Sequence, residues 1–432
     1  MANPFRPISI SLSPNMQADD VKLAFSLLFK PREWRTNFAT VRPSPDSDGL
    51  TVASNAILEL EKEFRKYLGV KYTYSFNSGR SSLMAIMAAL ELPEGSQVLL
   101  QAFTCNAAAN PIRWAGLAPV FVDCDQNYNL SVDDLKKKIT EKSRVVMVQH
   151  TFGLPADMDE IKKVCDENNL ILIEDCAHSL GATYKNRLVG TFGKASFFSF
   201  GRDKMISCVY GGMAVTDDEA LAKRIAAFQE KIGYPSNNWT RQQLWHPVLM
   251  SWLILPTYSI IGKYKLVVLQ WLHILSKAIH WKEKRGLKPD YFPKRLPNAL
   301  AILALNQFKK LDLLNSHRQR TARIYFKELK DGGFVLPSDP SDRKQVFLRF
   351  AIRHDDAAKI IKKAWRRNLL IGDWYRTPVD PFDTKPETVG YVKGSCPNAE
   401  EFAGKMINLP THINIKGGQV KLLADFIKIN KK

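Results

Sequence analysis

Between Tyr72 and Phe200 short apolar runs alternate with helical patterns. Runs with strand character lie at Tyr72–Phe76, Gln97–Gln101, Pro119–Asp123, Val145–Gln149, Ile171–Asp175 and Ser196–Phe200. Helical patterns separate most of them, at Leu83–Leu90, Asn106–Trp114, Val132–Ile139 and Met158–Asn168. Short apolar strands joined by helices imply a mostly parallel sheet covered on both faces. The expected fold class is therefore α/β.

The flanks extend this plan. Val21–Phe29 reads as a short helix stopped by Pro31. Ala56–Leu68 is an amphipathic helix ended by Gly69, and Asp217–Lys231 is a further helix. Residues 1–50 are otherwise weakly patterned and carry several prolines. Past Pro297, helices are expected at Ala299–Leu313, Ser316–Leu329, Ala357–Asn368 and Leu422–Ile429, with a strand at Val346–Ile352. The expected division is a large domain over 1–232, a hydrophobic insertion over 233–290 and a small C-terminal α/β domain over 291–432.

Residues 243–281 break the pattern. Leu244–Ile261 and Leu266–Leu275 are apolar, but His246, Pro247, Pro256 and the run Gly262–Lys265 interrupt them. A spanning helix needs about 20 largely unbroken apolar residues. Trp245, Trp252, Tyr258, Tyr264, Trp271 and Trp281 punctuate the segment, and basic residues flank it. That composition predicts a hairpin dipping into one leaflet, with rings at the headgroup level. A buried helical pair, an oligomer contact and a true span are the competing readings.

The chain has 432 residues and a formal net charge of +19. Such basicity favours phosphorylated ligands, acidic membrane surfaces or nucleic acid. No zinc-finger spacing or RNA-binding aromatic signature is present, so no nucleic-acid partner is expected. The six cysteines are scattered without a CxxC pair, which predicts reduced thiols and neither zinc site nor disulfide framework. The first residues lack a basic stretch followed by an apolar run, so no signal peptide is expected. The expected location is the cytoplasm, with peripheral contact to the inner membrane face through 243–281.

Two runs carry the chemistry. ILIEDCAHSLGA (171–182) ends a strand in Glu174 and Asp175. SFFSFGRDKMISCVYGGM (196–213) follows a strand with a tight turn presenting Lys204. Upstream, Asn77–Ser82 is a small-residue turn opening a helix, whose backbone N–H groups suit an anion. An ordinary helix cap reads the same way. A lysine amine can form a Schiff base with an aldehyde, which suits pyridoxal phosphate. That cofactor also needs a carboxylate for its ring nitrogen and a phosphate site. Lys204, Asp175 and the Ser78–Ser82 turn supply the three parts in order on successive strand ends.

The sequence resembles the DegT/DnrJ/EryC1/StrS aminotransferases. The likeness runs through FRKYLGVKYTYSFNSGRSSL, QAFTCNAAANPIRWAGLAPVFVDCD, GLPADMDEI, IEDCAHSLGA, SFFSFGRDK, YGGM, NQFKKLD and NLPTH. It implies the type I fold of pyridoxal-phosphate transferases and amination of a keto-sugar, mostly nucleotide-linked, with glutamate as donor. A homodimer is implied as well. On this resemblance Lys204 is the Schiff-base lysine and Asp175 the partner of the pyridine nitrogen. His178 stands near the ring hydroxyl, Ser199 contacts the phosphate, and Gly79 and Arg80 form the phosphate turn. Strand-end packing is the alternative role for His178.

Four positions depart from the family pattern. Cys105 replaces a ring-stacking aromatic, Tyr210 an acid before the paired glycines, and Met205 a frequent asparagine. Glu230 falls near an asparagine that reaches the partner subunit's phosphate. Lys204 argues against the family branch that carries histidine and dehydrates sugars. Another pyridoxal-phosphate reaction, or a non-catalytic membrane-associated relative, remains the alternative.

Overall fold

The computed structural model describes residues 6–34 and 56–431. Part of the weakly patterned N-terminal stretch, residues 35–50, lies outside them. Seven strands form the central sheet: β1 (Tyr72–Phe76), β2 (Gln97–Gln101), β3 (Ala118–Val122), β4 (Ser143–Gln149), β5 (Ile171–Asp175), β6 (Ala195–Ser199) and β7 (Gly212–Thr216). Their order is β1-β7-β6-β5-β4-β2-β3. All neighbours pair in parallel except β7, which runs antiparallel to both β6 and β1. The parallel sheet is as expected. Strand β7 is an addition that the Gly211-Gly212 pair had concealed, because glycine is depleted in strands.

Side chains alternate across the sheet. Val98, Leu100, Val145, Met147, Ile173 and Phe197 face one core, with Leu83, Ile86 and Ile112 from the helices α3 (Gly79–Ala89) and α4 (Asn106–Trp114). Leu99, Val146, Val148 and Leu172 face the other, against Ile161 and Val164 of α6 (Met158–Glu167), which follows α5 (Val132–Lys138). Fully burying such a side chain contributes about 1.5–3 kcal/mol. This explains why both faces read as apolar.

On the second face Phe64 of α2 (Ala56–Leu68) packs on Phe198, Phe200 and Phe308. Phe308 belongs to α10 (Asn298–Phe308), whose Leu300, Leu303 and Ala304 share that core with residues of the large unit. The expected division at 290 falls before this helix. Helix α11 (Leu311–Leu329) leaves the large core at Leu314 and enters the C-terminal core at Ala322 and Tyr325. That smaller core is closed by β8 (Phe350–Arg353), β9 (Met406–Leu409), α12 (Ala357–Arg366) and α13 (Gly417–Asn430). The strand expected from Val346 starts only at Phe350. Phe347 adopts a left-handed φ of 49°, and the amides of Val346 and Leu348 are taken by carbonyls of Gly153 and Phe152.

After α7 (Glu219–Ile232) the insertion begins. Residues Asn237–Trp271 are helical throughout, including α8 (Asn237–Leu249) and α9 (Lys263–Trp271). A straight helix of 35 residues would extend about 52 Å. Instead Gln242 donates to the carbonyl of His273, and Ser276 Oγ donates to Gln243 Oε1 (2.6 Å). The chain therefore doubles back between Ile254 and Gly262, where Pro256 removes a backbone donor. The segment is thus folded back on itself. Its first limb packs Leu244 and Val248 against Ala24 and Leu27 of α1 (Ala18–Leu28). Its outer face leaves Trp252, Ile260, Tyr264, Val267, Val268, Trp271 and Leu272 exposed.

Candidate active site

Parallel strands β1, β2, β4, β5 and β6 end on one edge, and antiparallel β7 begins there. Ligands of open α/β sheets bind at this carboxyl edge. A single cavity lies there, and Gly79, Arg80, Cys105, Asp175, His178, Ser199 and Lys204 all line it. Every residue singled out from the sequence as catalytic or cofactor-binding thus reaches one place.

The phosphate corner follows from the turn after β1. Ser78 is extended (φ −169°) and caps α3 by accepting from the amide of Ser81 (3.0 Å). The amides of Gly79 and Arg80, in the first helical turn, have no intrahelical acceptor. Backbone crowding makes this corner glycine-dependent. A Cβ at Gly212 would stand 2.5 Å from Gly79 N and from Ser78 C, and one at Gly79 would stand 3.0 Å from Ser199 Cβ.

Strand β5 separates its two acids by alternation. Glu174 points away from the cavity and accepts the amides of Gly190, Phe192 and Gly193 at 2.6–2.8 Å. His150 accepts from Ala156 N through Nδ1, so its Nε2–H donates to Glu174 at 3.3 Å. Both stand beside Cys176, and with the carboxylate and the imidazole engaged in these bonds the group reads as a structural brace. Asp175 faces the cavity. Ala177 N donates to its Oδ1 at 2.9 Å, while burial raises the carboxyl to about 6 against the pull of that bond, of Lys204 and of His150.

Lys204 sits in the loop 201–210 between β6 and β7. Asn15 holds that loop from below, donating to the carbonyls of Lys204 and Met205, and Arg318 donates to Asn15 Oδ1 (2.6 Å). Burial lowers the Lys204 ammonium pKa, opposed by Asp203, Cys105 and Asp175. Its Nζ lies 5.3 Å from the ring centroid of Trp374. Arg349 stacks on the same ring at 3.2 Å and pairs with Asp203 (2.9 Å).

His178 stands between Phe152 and Trp374, stacked at 6.1 and 5.8 Å. Burial, then Lys204 and Arg349, hold its pKa well below the ordinary value, so the ring is neutral. Its Nδ1 is buried without a hydrogen-bond partner. Burial pushes the Cys105 thiol up to about 11. Tyr210 lines the cavity and donates to the carbonyl of Lys277. Met205 is buried behind the loop, and Glu230 is exposed on α7, outside the cavity lining.

Several lining residues were not singled out from the sequence. Arg202 and Asp203 adjoin the lysine, a proximity that could have found them. Gln149 ends β4, the same position on its strand that Asp175 holds on β5. Trp374 and Tyr375 come from the C-terminal unit, and Ala278 and Ile279 from the insertion. No local signal marks these four.

An amide cradle beside Ser199, a carboxylate, an amine and an orphaned ring nitrogen, all lining one cavity, match the groups that pyridoxal phosphate needs. The residues present fit that cofactor.

Comparison with known proteins is consistent with this. The chain is 36% identical over 386 residues to GDP-perosamine synthase of Escherichia coli O157:H7, covering 88% of this chain and 92% of that protein. It is 26% identical to UDP-N-acetyl-3-dehydro-alpha-D-glucosamine 3-aminotransferase of Acidithiobacillus ferrooxidans, covering 88% and 90%. Its fold matches Helicobacter pylori PseC, an aminotransferase involved in the biosynthesis of pseudoaminic acid, at TM-score 0.72 and 21% identity, covering 98% and 99%. Residues 32–428 match the DegT/DnrJ/EryC1/StrS aminotransferase family. With the type I fold, the cavity and that match over nearly its whole length, this chain belongs to the DegT/DnrJ/EryC1/StrS family of pyridoxal-phosphate-dependent aminotransferases.

Proposed function

We propose that this aminotransferase moves an amino group from glutamate to a keto-sugar carried on a nucleotide. The observation that carries the reading is Lys204 and Asp175 facing one cavity at the carboxyl edge of the sheet. Two of the relatives named above carry a nucleotide-linked sugar in their names, GDP-perosamine and UDP-N-acetyl-3-dehydro-alpha-D-glucosamine, and they support the substrate class.

Each residue has a role derived from its setting. Pyridoxal phosphate, when bound, supplies an electron sink for the carbon that bears the transferred amine. The Asp175 carboxylate would hold a proton on the ring nitrogen of the cofactor, and such a cationic partner would favour the ionised carboxylate against the burial that raises its pKa. Lys204, with its pKa lowered by burial, has more of the neutral amine near neutral pH and is placed to relay a proton to and from the reacting carbon. The amides of Gly79 and Arg80, with Ser199, hold the phosphate. Neutral His178, whose orientation is fixed by its stack with Trp374, would offer its unpartnered Nδ1 to the ring hydroxyl of the cofactor. Cys105 lines the same cavity and would present a protonated, uncharged thiol to the cofactor.

Purified protein should show a visible absorbance band that borohydride abolishes, with peptide mapping placing the fixed cofactor on Lys204. Lys204→Ala should lose transamination. Full activity in that variant would remove the assignment. A panel of keto-sugar nucleotides, each with glutamate or glutamine, identifies substrate and donor, and conversion of none of them would refute the sugar-nucleotide reading.

The hairpin supports an addition to this reading, in which a cytoplasmic homodimer binds peripherally to the inner membrane face. Trp252, Tyr264, Val267 and Trp271 form an exposed apolar surface, and Lys263, Lys265 and Lys277 flank it. Flotation with anionic vesicles tests it. Val267→Ser with Trp271→Ser should release the protein from vesicles. If the pair instead changes sedimentation mass with no effect on flotation, the surface is an oligomer contact.

A further inference from the structure

The return limb of the insertion reaches the cofactor cavity. Ser276 accepts from Arg202, the carbonyl of Lys277 accepts from Tyr210, and Ala278 and Ile279 line the wall. The seam ends at Glu283, which is fully buried. Its Oε2 pairs with Nη1 of Arg80, and its Oε1 accepts from the amide of His280 (2.8 Å). Its carbonyl is held by Asn106 (3.3 Å) and Asn110 (2.8 Å) of α4. Arg80 also donates to the carbonyl of Ala278 (3.2 Å), and its guanidinium lies 4.5 Å over the Phe292 ring.

We propose that Glu283 is a positioning residue for the cofactor phosphate: carried in by the insertion, it holds the Arg80 guanidinium at the α3 N-terminus where the phosphate binds. The inference rests on reading the Ser78–Arg80 turn as the phosphate corner. The physical ground is that a buried guanidinium without a counter-charge is costly to keep in place. Glu283 supplies that charge before any phosphate arrives, so Arg80 need not be reorganised on binding. The other groups facing Arg80 (Tyr210, Phe292 and the Ala278 carbonyl) carry no full negative charge. The insertion is thus joined to the cavity by an ion pair beside the hydrogen bonds of Ser276, Lys277 and Ala278, and it becomes part of the cofactor site.

The test compares binding of pyridoxal phosphate and of pyridoxal, which lacks the phosphate, to the full-length apoprotein by tryptophan fluorescence. Glu283→Ala should weaken pyridoxal phosphate about tenfold or more and leave pyridoxal within about twofold, and Glu283→Gln, which keeps the size and an acceptor but not the charge, should show most of the same loss. Equal weakening of both ligands, or no weakening of either, overturns the proposal. If Glu283→Ala does not fold, the double variant Arg80→Met with Glu283→Leu replaces the pair by apolar groups, a change that buried ion pairs often tolerate. It should fold, and its preference for the phosphorylated ligand should fall about tenfold, the remainder being carried by the Gly79 and Arg80 amides and Ser199. A double variant that keeps the full preference refutes the role. Failure of the unaltered protein to bind pyridoxal phosphate would instead strike the site assignment itself.

Discussion

Asp175→Asn should stabilise the apoprotein while abolishing its function. The Asp175 carboxyl is raised from 3.8 to about 6, chiefly by burial. An acid raised on folding binds more protons folded than unfolded, so it opposes folding once ionised. The cost is absent below about pH 4, grows between pH 4 and 6, and is complete above. At 1.36 kcal/mol per pH unit, a difference of about 2 gives about 3 kcal/mol at pH 7.5. Asparagine preserves an acceptor for the Ala177 amide and carries no charge. Urea denaturation of both apoproteins at pH 4.5 and 7.5 is the assay. The variant should be more stable by about 2–3 kcal/mol at pH 7.5, with the gap narrowing at pH 4.5. Asp380, also raised to about 6, contributes equally to both proteins and cancels in the difference. Pyridoxal phosphate should raise the Tm of the unaltered protein more than that of the variant, because only a carboxylate pairs with a protonated ring nitrogen. A variant that is less stable at pH 7.5, or a gap that does not change with pH, would refute the reasoning.

Three further outcomes follow from the packing. Gly212→Ala places a methyl 2.5 Å from backbone atoms that cannot swing aside. It should cost about 1–3 kcal/mol in thermal melts and weaken cofactor binding, as overpacked sites do. Asn15→Ala leaves the buried carbonyls of Lys204 and Met205 without donors. It should lower stability by about 1–3 kcal/mol and reduce kcat more than KM by loosening the lysine loop. Cys105, with its thiol pushed up to about 11, should resist iodoacetamide at pH 7.5, and fast alkylation followed by mass spectrometry would contradict that setting.

The parallel core was legible because β2 to β5 are short continuous apolar runs, with a helix pattern following each of β2, β3 and β4. β7 was not, because Gly211 and Gly212 remove the side chains by which a strand is recognised. Gly212 answers a contact far away in the chain, the Ser78–Gly79 backbone, and Gly211 answers Cys208 and Phe200. The hairpin in the insertion was legible from Pro256 and Gly262 between two apolar limbs. Its contribution to the cavity was not, since Ala278, Ile279 and Glu283 carry no local pattern. The extent of β8 was also hidden, because Phe347 is held left-handed by contacts with Phe152 and Gly153 rather than by its own preference.

Local sequence determined the elements, the strand ends that bear Asp175 and Lys204, and the amide turn at Ser78–Arg80. Periodicity and turn chemistry act over a few residues, and those features need no more. Tertiary structure alone decided which acid of Glu174-Asp175 faces the cavity, which distant rings wall it, and that an insertion residue pairs with Arg80. These are settled by desolvation, and whether a charge is buried depends on what the rest of the chain brings against it.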